Sequence, residues 1–67
     1  PGAYSEFCRV GANEALHLPD TVSFAQGALV EPMAVGFNAV QRANIKSKES
    51  VFIMGAGPVG LSVALWC

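Results

Sequence analysis

Three observations predict an α/β architecture. A four-residue apolar run, Val51-Phe52-Ile53-Met54, leads straight into Gly55-Ala56-Gly57-Pro58-Val59-Gly60. Beyond that turn the chain is almost free of polar side chains as far as Trp66. Before residue 20 the pattern is different, with aromatic and branched residues roughly alternating with polar ones. The first two features make the strand, turn and helix of a parallel sheet covered on both faces. The third makes a β-rich segment joined in front of it.

The elements follow in order. Tyr4 to Val10 is expected as a strand with one buried face, which would make Cys8 a small core residue. Ala15-Leu16-His17-Leu18 is expected as a second short strand, ended by the turn chemistry of Pro19-Asp20. Ser23-Phe24-Ala25-Gln26 has the S-x-x-Q spacing of a capping box and predicts a short helix running to about Leu29. Pro32 suits the first turn of a second helix, where its missing N–H costs nothing. Met33, Phe37 and Val40 give that helix one apolar stripe, and Asn44 is its expected stop. Ile45 to Ser50, with Lys46, Lys48 and Glu49, reads as a solvated connection, and Arg42 as the polar side of the preceding helix. From Pro58 onward a helix apolar nearly all round should be buried under further layers.

Composition limits what such a chain does. Hydrophobic residues make up 52% and charged ones 13%, about half the charge usual in a soluble domain. With 67 residues, a self-sufficient domain has much surface to solvate and should carry more charge than this. The ends agree with an internal piece of a longer protein, since the chain opens on Pro1 and stops inside the apolar Leu65-Trp66-Cys67. A net charge of −1 offers no footprint for nucleic acid or an anionic membrane. Two cysteines, Cys8 and Cys67, have no C-x-x-C spacing and support neither a disulfide framework nor a cysteine metal cage. They read as reduced and the location as cytoplasmic. Ser50 to Cys67 carries no charge, but glycines and a proline in its middle argue against a membrane span.

Gly55-Ala56-Gly57-Pro58-Val59-Gly60 is a G-x-G-x-x-G string. Alone it is a weak signal; a buried strand running in and an apolar helix running out are the context that gives it meaning. Gly55 would let the chain turn off the strand end, Gly57 would let the backbone approach a pyrophosphate, and Gly60 would let the helix pack close to the strand. The helix N-terminus would offer free N–H groups, and Pro58 would pre-set the first turn. Dinucleotide binding is the better reading over a glycine turn that binds nothing or a flavin site. The acidic residue about 20 positions further on, which contacts the ribose, would fall past Cys67, so NAD and NADP both stay open.

Glu31 is the only formal charge between Thr21 and Gln41. A carboxylate at a helix start is good dipole chemistry. Equally, a lone acid in apolar surroundings is a candidate metal ligand or proton acceptor. His17 has no second ligand at metal spacing.

Taken together, the chain resembles the zinc-dependent medium-chain alcohol and polyol dehydrogenases, in the sorbitol, xylitol and butanediol dehydrogenase branch. The likeness runs through Gly2 to Phe7, Leu18-Pro19-Asp20, Gly27 to Gly36 with its Glu31-Pro32 pair, and Val51 to Leu61. It implies the junction of a β-rich, GroES-like catalytic domain, over residues 1–31, with the linking helix and first strand-turn-helix of a Rossmann domain, over residues 32–67. It implies hydride transfer from a secondary alcohol or polyol to NAD(P)+, with Zn2+ as Lewis acid, and a homo-oligomer. Glu31 would stand at the zinc, as a ligand or through a water, and touch the substrate. Gly55, Gly57, Pro58, Val59 and Gly60 would hold the cofactor, with Val59 behind the nicotinamide and Val35 lining the same pocket. The other zinc ligands, a Cys and a His-Glu pair, would lie before Pro1. Two alternatives are a zinc-free NADPH-dependent reductase of the same superfamily, which lacks the Glu-Pro pair, and a non-catalytic dinucleotide-binding module, which has no reason to keep Glu31.

Overall fold

Three helices and one 3-10 turn account for the regular structure of the computed structural model, which describes residues 2–67. α1, Phe24–Gly27, is a single turn started by the expected capping box. The Gln26 N–H donates to Ser23 Oγ at 3.1 Å, and the Ser23 N–H donates to Gln26 Oε1 at 2.8 Å. Two of the orphan donors at a helix start are satisfied in this way.

α2, Val30–Ala43, begins two residues before Pro32. Ala28 and Leu29 already have helical dihedrals, so the chain passes from α1 into α2 with hardly a break. The first bond into α2 runs from the Met33 N–H to the Leu29 carbonyl, at 3.0 Å. Pro32 still falls among the first-turn positions whose N–H has no partner, and its ring costs nothing there. Asn44 ends α2 in the left-handed region, at φ 51° and ψ 44°, with its N–H bonded to the carbonyls of Val40 and Gln41. Asn tolerates that conformation better than most residues.

α3, Pro58–Trp66, has Pro58 at its first position. Its first backbone bond runs from the Leu61 N–H to the Gly57 carbonyl, at 2.9 Å.

No strand forms among the described residues: Tyr4 to Val10, Ala15 to Leu18 and Val51 to Met54 have no ladder partner. A strand exists only by pairing, and these segments do not pair with one another. Between the first two lies a 3-10 turn at Ala12–Glu14, where the Gly11 N–H donates to Glu14 Oε2. Cys8 is exposed rather than in a core.

The main packing is α2 against α3. Met33 meets Ser62 and Trp66, Gly36 meets Ser62, and Phe37 lies edge-on to Trp66 with ring centroids 4.9 Å apart. Pro58, at the start of α3, shares a hollow with Leu29 and Pro32 at the start of α2. Trp66 and Cys67, at the end of α3, share another with Val40 and Ile45. The two helices therefore run in the same direction with their N-termini at one end. Residues 44–57 carry the chain back, as parallel neighbours require.

Among the described residues only Gly36 and Ser62 are buried, and no apolar side chain is. Leu61 and Leu65 of α3 remain 57% and 73% exposed, so the expected burial of this helix is not met within residues 2–67. A helix apolar all round needs cover on several sides, and α2 supplies one. The radius of gyration, 15.0 Å, exceeds the roughly 11 Å of a compact domain of this length.

Candidate functional site

The three glycines of the turn differ in what holds them as glycine. Gly55 has φ +113°, a conformation that side chains disfavour. A Cβ at Gly60 would run into the Gly55 carbonyl oxygen and come within 3.6 Å of Ile53 Cγ2. Gly60 therefore lets the start of α3 lie against the end of the Val51–Met54 segment.

Gly57 is under neither constraint. Its backbone is extended, at φ −79° and ψ −178°, and a Cβ there would meet nothing within 4 Å. The fold of these residues does not need a glycine at 57, yet the missing side chain leaves open space directly over the N-terminus of α3. There the N–H groups of Val59 and Gly60 precede the first bonded donor, Leu61, and carry the positive end of the helix dipole. Such an end attracts phosphate. The residues present thus fit a dinucleotide's pyrophosphate.

Glu31 is exposed on the first turn of α2. Because α2 and α3 point the same way, its carboxylate is at the same end of the pair as the glycine turn. Pro32, the next residue, and Pro58 of the turn share an apolar hollow of about 320 Å³, closed by Met33, Leu61 and Leu65. Val59 and Val35 are both partly exposed, at 47% and 40%. His17 and Cys8 are exposed on the preceding segment.

A zinc centre is not complete here. No three His, Cys, Asp or Glu side chains gather among the described residues, and catalytic zinc takes three protein ligands. Glu31 can be one donor only, and no step through a metal follows from this chain alone. Nor is any helix of the described residues long and apolar enough to cross a membrane.

Sequence reasoning missed the contact that joins the two helices. Ser62 and Trp66 make it on the Met33 carbonyl, and Gly36 makes it against Ser62. The signal was present: Gly36 is the small residue beside the Met33, Phe37, Val40 stripe, and Ser62 is the lone hydroxyl in α3.

No protein-family model matches the chain, and no solved structure does. Curated relatives do match. The chain is 43% identical over 60 residues to sorbitol dehydrogenase of Ovis aries, an alignment covering 90% of the chain and 17% of that enzyme. It is 42% identical over 62 residues to (R,R)-butanediol dehydrogenase of Bacillus subtilis, covering 92% of the chain and 18% of the enzyme. With L-idonate 5-dehydrogenase of Vitis vinifera the identity is 44% over 61 residues, covering 81% and 17%.

The chain belongs to the polyol dehydrogenase family.

It spans about a sixth of the length of these polyol dehydrogenases. Alignments over 90% and 92% of the chain take in both the Glu31 helix and the glycine turn.

Proposed function

We propose that this chain is the junction of a polyol dehydrogenase that transfers a hydride from a secondary alcohol or polyol to NAD(P)+. The observation that carries the proposal is Gly57: a glycine that neither backbone nor packing requires, at the mouth of a helix N-terminus. A phosphate-sized group approaching that end explains its lack of a side chain.

In this reading residues 1–31 close the GroES-like catalytic domain and residues 32–67 open the Rossmann domain. The N–H groups of Val59 and Gly60 bind the pyrophosphate of NAD or NADP, Gly55 and Gly60 shape the turn, and Pro58 fixes the first helical dihedral. When bound, the nicotinamide accepts the hydride. Val59 packs beside it.

Glu31 faces the substrate from the start of the neighbouring helix. Its carboxylate serves there as an acceptor for a substrate or water proton and as a single donor toward the family's Zn2+. The other ligands come from parts of the relatives that this chain does not span. The proposed protein acts on a small alcohol or polyol, works as a homo-oligomer and is cytoplasmic.

Titration of NAD+ and NADP+ into the full-length protein by calorimetry tests the proposal. Saturable binding of one of them, with oxidation of sorbitol, xylitol or 2,3-butanediol, supports it. Binding of neither removes it.

A further inference from the structure

We infer that Ser62 and Trp66 are positioning residues, which fix α2 on α3 through the Met33 carbonyl and so hold Glu31 at a set reach from the glycine turn. The inference rests on the function proposed above.

Two side-chain donors from successive turns of α3 converge on one acceptor. Ser62 Oγ donates to the Met33 carbonyl at 3.2 Å, and Trp66 Nε1 donates to it at 2.9 Å. That carbonyl lies two residues beyond Glu31. Ser62 is 2% exposed and is the one side chain buried among the described residues, while Trp66 is 45% exposed and closes the clamp from its open side. Gly36 makes the approach possible, since a Cβ there would strike the Ser62 hydroxyl.

Apolar contact between two helices is non-directional and permits small sliding and rotation. Hydrogen bonds to one carbonyl are directional and fix the register. The two ends of the proposed site respond differently to loss of that register. The glycine turn is continuous with α3 and keeps its geometry. Glu31 belongs to α2 and swings as α2 rotates.

Ser62→Ala and Trp66→Phe delete one donor each and keep most of the packed shape, including an aromatic ring beside Phe37. In the full-length enzyme, the double variant is expected to bind NAD(P)+ within two-fold of the parent, by calorimetry. Its kcat is expected to fall about ten-fold, because small misplacement of a reacting group is costly. Each single variant should show the same split at smaller size, with little change in melting temperature. Parent-like kcat in the double variant overturns the clamp. So does a loss of cofactor affinity in step with kcat, which means general loosening. Glu31→Gln, assayed alongside, separates the two ideas: if it leaves kcat intact, the function proposed for Glu31 fails and the clamp fails with it. If it impairs kcat while the double variant does not, the clamp alone fails.

Discussion

Gly36 of α2 faces Ser62 of α3 with no room for a side chain between them. Two otherwise open helices are joined at this point, and around it the starts of both are brought to one end. The chemistry proposed for the chain depends on that arrangement: one helix start carries a carboxylate and the other carries a phosphate-binding turn.

Gly36→Ala should therefore destabilise the full-length protein by about 1–3 kcal/mol, the usual cost of overpacking, read as a lower melting temperature. Adding Ser62→Gly should recover part of the loss by removing the clashing hydroxyl. Recovery stays incomplete because the new methyl also crowds the Ser62 backbone carbon, at 2.8 Å. A melting temperature unaltered by Gly36→Ala would show that the helices lie further apart.

Glu31→Gln should lower kcat by about 100-fold, on the scale of a lost acid–base group, with cofactor affinity nearly unchanged. Glu31 is exposed at the positive end of α2, so its removal should cost stability only the fraction of a kcal/mol typical of a helix-dipole contact. Steady-state kinetics and a thermal melt on one preparation check both halves. An equal loss of activity and cofactor binding would remove the assigned role.

Ser23→Ala deletes the hydroxyl that accepts the Gln26 N–H in the capping box that starts α1, while the backbone N–H of residue 23 still donates to Gln26 Oε1. About 1 kcal/mol of stability should be lost, again by thermal melt, with kcat and cofactor affinity unaltered. Unaltered stability would mean that α1 contributes nothing to holding the fold.

The parts of the structure legible in the sequence are the local ones. Ser23 and Gln26 lie three residues apart and find each other without help from the rest of the chain. Asn44 stops α2, and Pro58 opens α3, for equally local reasons. Pro32 marks the first turn of α2 but not its first residue, Val30, because proline is tolerated anywhere in a first turn. The strands expected at Tyr4–Val10, Ala15–Leu18 and Val51–Met54 depend on partners far away in sequence, and residues 2–67 do not supply them. The Met33, Ser62, Trp66 clamp was hidden for a similar reason: nothing in the spacing of two helices says which faces will meet. Of the candidate site, the glycine turn was visible as a string and Glu31 as an isolated charge. Their position at one end of a parallel helix pair was not.

The most direct test of the central claim compares Gly57→Val with Gly60→Ala for NAD(P)+ affinity and melting temperature in the full-length protein. Gly57 has an extended backbone and open surroundings, so Gly57→Val should keep its melting temperature while cofactor affinity falls by about 100-fold or more, as a branched side chain fills the pyrophosphate's place. Gly60→Ala, which drives a methyl into the Gly55 carbonyl oxygen, should lose stability and affinity together. Parent-like cofactor affinity in Gly57→Val would contradict the account and return the turn to a structural role.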